Sequence, residues 1–92
     1  MLEDSGGTYG DLVSIDHEAE QPIYQQVAAL LRARIERGEI TRRMPSLKTV
    51  EQELGVSHGS VEKAFTLLRS EGLIRPVIGR GYFVVPASER QD

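Results

Sequence analysis

Seven consecutive residues, Ser57-His58-Gly59-Ser60-Val61-Glu62-Lys63, bring two hydroxyls, an imidazole, a carboxylate and an ammonium together. A second set lies downstream, where Arg80 stands between Gly79 and Gly81, a guanidinium on backbone freed for a tight turn. A third is Arg42-Arg43, followed by Ser46, Lys48 and Thr49. These groups are suited to recognition of anionic oxygens, for which hydroxyls and cations are hydrogen-bond donors and guanidinium is a forked one. Covalent chemistry finds less material. There is no cysteine, His17 and His58 are the only histidines, and no nucleophile–base pair or carboxylate dyad stands out. The expectation is a chain that is not an enzyme and carries no cofactor and no metal, structural zinc included.

Overall charge, taken alone, argues against anion recognition, since the 92 residues carry a formal −3. The distribution reverses that argument. Glu3, Asp4, Asp11, Asp16, Glu18 and Glu20 fall within the first twenty residues, which hold no Lys or Arg. That segment accounts for −6, leaving +3 on residues 21–92. Composition, 39% hydrophobic and 27% charged, is that of a globular protein with room for one small core. No apolar run approaches the roughly 20 residues of a membrane span, and the acidic start lacks a signal-peptide pattern. A cytoplasmic location without membrane attachment is the expectation.

The elements that would position these residues follow from spacing. Residues 1–20 form an acidic, largely disordered segment, with a short extended piece around Leu12 to Ile15. Pro22 suits the first helical position, and Ile23, Val27, Leu30, Leu31 and Ile35 recur at helical spacing, predicting a helix over about 22–37 that stops at Gly38. Ser46 is a candidate N-cap for a short helix, 47–54, buried through Leu47, Val50 and Leu54 and broken at Gly55. Ser57 is a second N-cap, with Val56 and Val61 in hydrophobic-staple positions, for a helix 57–70 whose inward stripe is Val61, Ala64, Phe65 and Leu68. Ile74, Val77 and Ile78 then read as one strand and Tyr82 to Val85 as another, about a glycine-bounded turn. Pro76 lacks a ladder donor and belongs at an edge. Residues 87–92 read as a flexible tail. The fold class is mainly α with a small β-hairpin: three helices plus a wing, a winged helix-turn-helix, spanning residues 21–86.

In that architecture the start of the 57–70 helix is the part that enters a DNA major groove. Its free backbone N–H groups and positive dipole end favour phosphate, and Lys63 lies one turn on. Gly59 has no side chain to hold a sugar or base away. Glu62 either accepts from a cytosine amino group or, the blander reading, faces solvent or pairs with a neighbour such as Arg69. Arg80 at the wing tip suits a narrow minor groove or a phosphate. Arg42 and Arg43 are placed to clamp the DNA backbone on the other side.

The span from Pro22-Ile23-Tyr24-Gln25-Gln26 through Pro45-Ser46, Gly55-Val56-Ser57, Glu71-Gly72-Leu73-Ile74 and Gly79-Arg80-Gly81 resembles the N-terminal DNA-binding domain of the GntR family of bacterial transcription regulators. The resemblance covers about residues 21–85. It implies a winged helix that binds operator DNA, usually as a homodimer on a two-fold site. Carried over by position, it places Lys48, His58 and Glu62 where arginines are common and Ser60 where threonine is usual. The connector before Met44 is shorter than usual and lacks a Pro-Gly turn. Fewer guanidinium forks weaken guanine recognition in particular. Family members also carry a larger effector-binding domain, and this chain is expected to be a small form without it, with no small-molecule effector site.

The function expected is sequence-specific regulation of transcription, in the form of a repressor of a two-fold operator. The 57–70 helix would lie in the major groove and the wing, residues 78–82, at the minor groove or backbone. The expected DNA-contacting set is Arg42, Arg43, Ser46, Lys48, Thr49, Ser57, His58, Gly59, Ser60, Lys63, Gly79 and Arg80. The alternative is a winged-helix protein-interaction module with little or no DNA binding of its own.

Overall fold

In the computed structural model, which describes residues 15–90, the first helix α1 runs Ile23–Glu36. Val27, Ala28, Leu30, Leu31 and Ile35 recur at three- and four-residue spacing and are buried, giving α1 the inward stripe that the sequence predicts. Pro22 caps the helix from outside with extended backbone, one position earlier than expected. Residues 15–20 belong to the segment that the sequence predicts to be largely disordered, yet Ile15 packs against the core. Gln26 holds the same stretch, accepting from the Asp16 N–H at 2.8 Å and donating to the carbonyls of Asp16 and Gln21 at 2.9 Å each. The remainder of the expected disordered segment, with Leu12 and Val13, lies outside the described residues.

Helix α2 is Leu47–Leu54 and helix α3 is His58–Ser70. Gly55 ends α2 in the left-handed conformation, and Ser57 restarts the chain in extended backbone. Val61, Ala64, Phe65 and Leu68 line the buried side of α3, which packs against α1, α2 and the first strand. The Phe65 ring meets Tyr82 edge-on at 5.1 Å between centroids and 70° between planes, clipping the hairpin to the helices.

Strands β1 (Ile74–Val77) and β2 (Gly81–Val84) pair antiparallel, with Ile74 opposite Val84 and Pro76 opposite Tyr82. The Val77 carbonyl accepts from Arg80 N–H at 2.9 Å, so the chain turns directly after Val77. Ile78, expected within the strand, therefore sits in the turn and is fully exposed. Gly79 and Gly81 hold φ of +77° and +90°, where a Cβ would be strained, and this allows the tight tip.

The connector between α1 and α2 contributes what the sequence did not indicate. Met44 N–H donates to the Tyr82 carbonyl at 2.9 Å, Val84 N–H donates to the Arg42 carbonyl at 2.6 Å, and Arg43 bridges Phe83. Residues 42–44 thus lie along the second edge of β2. Pro76 keeps the outer edge, and because Tyr82 turns its carbonyl to Met44, the missing proline donor interrupts no ladder bond. Beyond β2, Ala87–Glu89 form one turn of 3-10 helix, and Arg90 Nε donates to the Val85 carbonyl at 2.9 Å. Those residues of the expected flexible tail are therefore tied back to the hairpin.

Candidate nucleic-acid interface

The first turn of α2 is built by Ser46, whose Oγ accepts from Thr49 N–H at 3.0 Å and donates to Thr49 Oγ1 at 2.9 Å. The bond satisfies one orphan donor, and the helix starts with Lys48 and Thr49 exposed. Strand pairing of residues 42–44 brings the paired arginines up to this helix start. Arg43, Ser46, Thr49 and Arg80 line a single depression of about 430 Å³. Arg42 and Arg43 together are expected from the sequence to clamp the side opposite the wing; the β2 ladder instead sets Arg43 beside the wing-tip arginine. Among the described residues, Arg42, Arg43, Lys48 and Arg80 pair with no carboxylate, whereas Arg32, Arg34 and Arg37 of the α1 segment are taken up by Glu71, Glu53 and Glu39. Four cations without a carboxylate partner among the described residues thus stand around the wing and the start of α2.

The start of α3 repeats the capping pattern. Ser57 Oγ accepts from Ser60 N–H at 3.2 Å and donates to Ser60 Oγ at 3.0 Å. The charge there is different. His58 Nδ1 binds Glu51 Oε2 of α2, and its Nε2 lies 3.3 Å from Glu62 Oε2, one turn along α3. The hydrogen bond to Glu51 holds the imidazole above its usual pKa of 6.5; Glu62 adds to the effect and desolvation opposes it. Glu62 is exposed and engages His58 rather than Arg69, the neighbour that the sequence suggested. Beside them, a Cβ at Gly59 would meet nothing within 4 Å, so this surface is open to close approach. Lys63 is drawn toward α1, its Nζ 5.7 Å from the centre of the Tyr24 ring.

Two clusters therefore hold most of the expected residues: Arg43, Ser46, Thr49 and Arg80 in the first, and Ser57, His58, Gly59 and Ser60 in the second. Arg42 and Lys48 flank the first, Gly79 shapes its wing, and Lys63 stands apart beside Tyr24. Sequence reasoning missed Glu51 and Tyr24. Helical periodicity gives the face of a residue on its own helix, and neither contact lies within one helix. Among the described residues no group of His, Asp and Glu could hold a metal ion, and no helix is long and apolar enough to cross a membrane.

Three helices, a tight turn between the second and third, and an antiparallel hairpin clipped to the third define a winged helix-turn-helix domain. Residues 23–84 match the model for bacterial regulatory proteins of the gntR family. The chain belongs to that family and has the DNA-binding domain of a GntR-type transcription regulator. It is 34% identical over 74 residues to the HTH-type transcriptional repressor NagR of Bacillus subtilis (strain 168), covering 78% of this chain and 30% of NagR. It is 41% identical over 63 residues to YjiR of Escherichia coli (strain K12), an uncharacterized HTH-type transcriptional regulator, covering 66% of this chain and 13% of that one. The match thus spans less than a third of either curated relative. Among solved structures, YtrA from Sulfolobus acidocaldarius, a GntR-family transcription factor, superposes with a TM-score of 0.70 at 36% identity over 79% of each chain. The AraR DBD in complex with operator ORX1 gives a TM-score of 0.71 at 29% identity, over 79% of this chain and 96% of that one.

Proposed function

We propose that the protein binds a two-fold operator in double-stranded DNA as a pair of identical domains and represses transcription by occupying it. The start of α3, with Ser57, His58, Gly59, Ser60 and Glu62, faces base edges in the major groove. The wing, residues 78–82, lies at the minor groove or the adjoining backbone. Arg43, Lys48, Ser46, Thr49 and Arg80 hold phosphates, which fixes register without reading sequence. The convergence of Arg43, Ser46, Thr49 and Arg80 on one depression carries this reading, because two helix-start hydroxyls and two guanidinium groups with no carboxylate partner among the described residues form a phosphate cradle. The AraR DNA-binding domain in complex with its operators, and the repressor NagR, support it by analogy.

A single module of this size buries roughly 600–1,000 Å² on DNA, so one copy binds weakly and two copies on a palindrome bind well. Selection of sites from random duplex, followed by fluorescence anisotropy on the winner and on a scrambled duplex, tests the reading. A two-fold consensus is expected, with affinity at least about a thousandfold above the scrambled sequence. Equal binding to both duplexes, or none at low salt, would refute it and favour a protein-interaction role for the same surface.

A further inference from the structure

The far face of the hairpin carries a second concentration of positive charge, of which the sequence reading included only part. Arg42, Arg75 and Arg80 line a depression of about 310 Å³ with Thr41, Val77 and Phe83. Arg75 and Arg43 are the two cross-strand neighbours of Phe83, one on β1 and one on the connector. Residues opposite one another across strands project to the same face, so Arg75 stands beside Phe83 on this side of the hairpin. The acidic partner on this face is Glu89, 3.4 Å from Arg75, in a pair whose side chains are both more than half exposed. Such a pair contributes little and exchanges readily with solvent or another anion. Arg80 also lines the depression beside Ser46 and Thr49, so the two cationic surfaces are continuous around the wing.

We propose that this face is a second phosphate-binding strip, which takes the DNA backbone flanking the operator as it passes the wing, with Arg75 as its principal contact. The proposal rests on the DNA-binding reading above and extends it. Continuity through Arg80 favours DNA as the occupant, because a duplex seated at α2 and the wing tip already brings its backbone to the edge of the strip. On binding, Arg75 exchanges Glu89 for a phosphate. The flanking DNA then bends toward the hairpin, and its flexibility contributes to site choice without any base contact.

The test uses the whole 92-residue chain and one selected operator in two duplexes, one with ordinary flanks and one with flanking phosphates replaced by neutral methylphosphonates. Wild-type protein is expected to bind the ordinary duplex about 3- to 10-fold more tightly, with a salt slope larger by about one for each flanking phosphate held. Arg75→Gln should abolish that difference and leave affinity for the neutral-flanked duplex unchanged. Glu89→Gln should enlarge it. Both substitutions lie on exposed side chains, and unchanged circular dichroism would exclude unfolding as the cause. If wild type and Arg75→Gln bind both duplexes alike with equal salt slopes, the strip is overturned while operator binding stands. If Arg75→Gln instead loses only the capture of a polyglutamate probe, the face belongs to an acidic protein and the DNA strip is likewise overturned. Failure of wild-type protein to bind either duplex would overturn the operator reading as well.

Discussion

Two helix starts, at Ser46 and at Ser57, are capped alike but charged differently. At Ser46 and at Ser57 a serine hydroxyl accepts a backbone N–H three residues on and donates to a second hydroxyl there. Around the first stand Arg43, Lys48 and Arg80; around the second, His58 lies between the carboxylates of Glu51 and Glu62. Capping chemistry is thus common to both helices, and the neighbours brought in by other elements assign each its task. The first is a cationic grip on backbone. The second, weakly anionic, is poorly suited to phosphate and better suited to groove edges that offer donors, such as the cytosine amino group. Net charge over the whole chain conceals this division, because the acids of the first twenty residues outweigh a small local surplus to which the ion pairs of α1 add nothing.

The largest effect should come from dismantling the grip. Arg43→Ala combined with Arg80→Ala is expected to weaken binding to a selected operator by about 100-fold or more, from the loss of two charge-assisted contacts of about 1.5–3 kcal/mol each. Anisotropy at fixed salt measures it, and a change under twofold would remove the contrast between the two helix starts. Next, Glu62→Gln should alter base preference at one position of each half-site by about 1–3 kcal/mol, the value of a well-formed base contact. Repeated site selection with the variant would show it, and an unchanged consensus would return Glu62 to the role of solvated partner of His58.

Stability tests whether the two caps are equivalent. Ser46→Ala and Ser57→Ala should each cost about 1 kcal/mol and lower the melting temperature by about 4–8 °C. A large effect at one cap and none at the other would show that capping differs as well as charge. The smallest effect concerns pH. Because Glu51 raises the His58 pKa, the folded state binds the proton more tightly than the unfolded chain does. The associated stabilisation is fully present below about 6.5 and is lost as pH rises through the elevated value. In NMR titration the His58 ring should titrate above 6.5 and move back toward it in Glu51→Gln. DNA affinity should fall modestly over the same upward interval, as the cluster loses its one positive charge.

Helix α2, the Ser57 cap and the buried stripe of α3 were legible in the sequence, because each depends on residues within one turn or one helical face. Val61, Ala64, Phe65 and Leu68 show this most plainly: their spacing alone selects them, and all four are buried. The resemblance in the Gly55-Val56-Ser57 and Gly79-Arg80-Gly81 stretches then joined those local elements into a winged helix. Long-range pairings were not legible. Nothing in Arg42-Arg43-Met44 signals strand pairing, since the ladder partner is about 40 residues away and the contact is made by backbone. The clamp expected on the opposite side from the wing therefore became a cluster beside it. The Glu51–His58 bond was hidden for the same reason: it depends on the angle that the Gly55 turn imposes between two helices. Ile78 was misplaced by one residue of strand, where the onset of the turn overrode an apolar run.

The central claim is that backbone grip and base reading are divided between the α2–wing cluster and the start of α3. The most direct test is the slope of log affinity against log salt on one selected operator, compared among wild type, Arg43→Ala/Arg80→Ala and Glu62→Gln. The division predicts a slope smaller by about two for the double variant, at about 0.9 per phosphate contact, and an unchanged slope for Glu62→Gln. A double variant with the wild-type slope would contradict it.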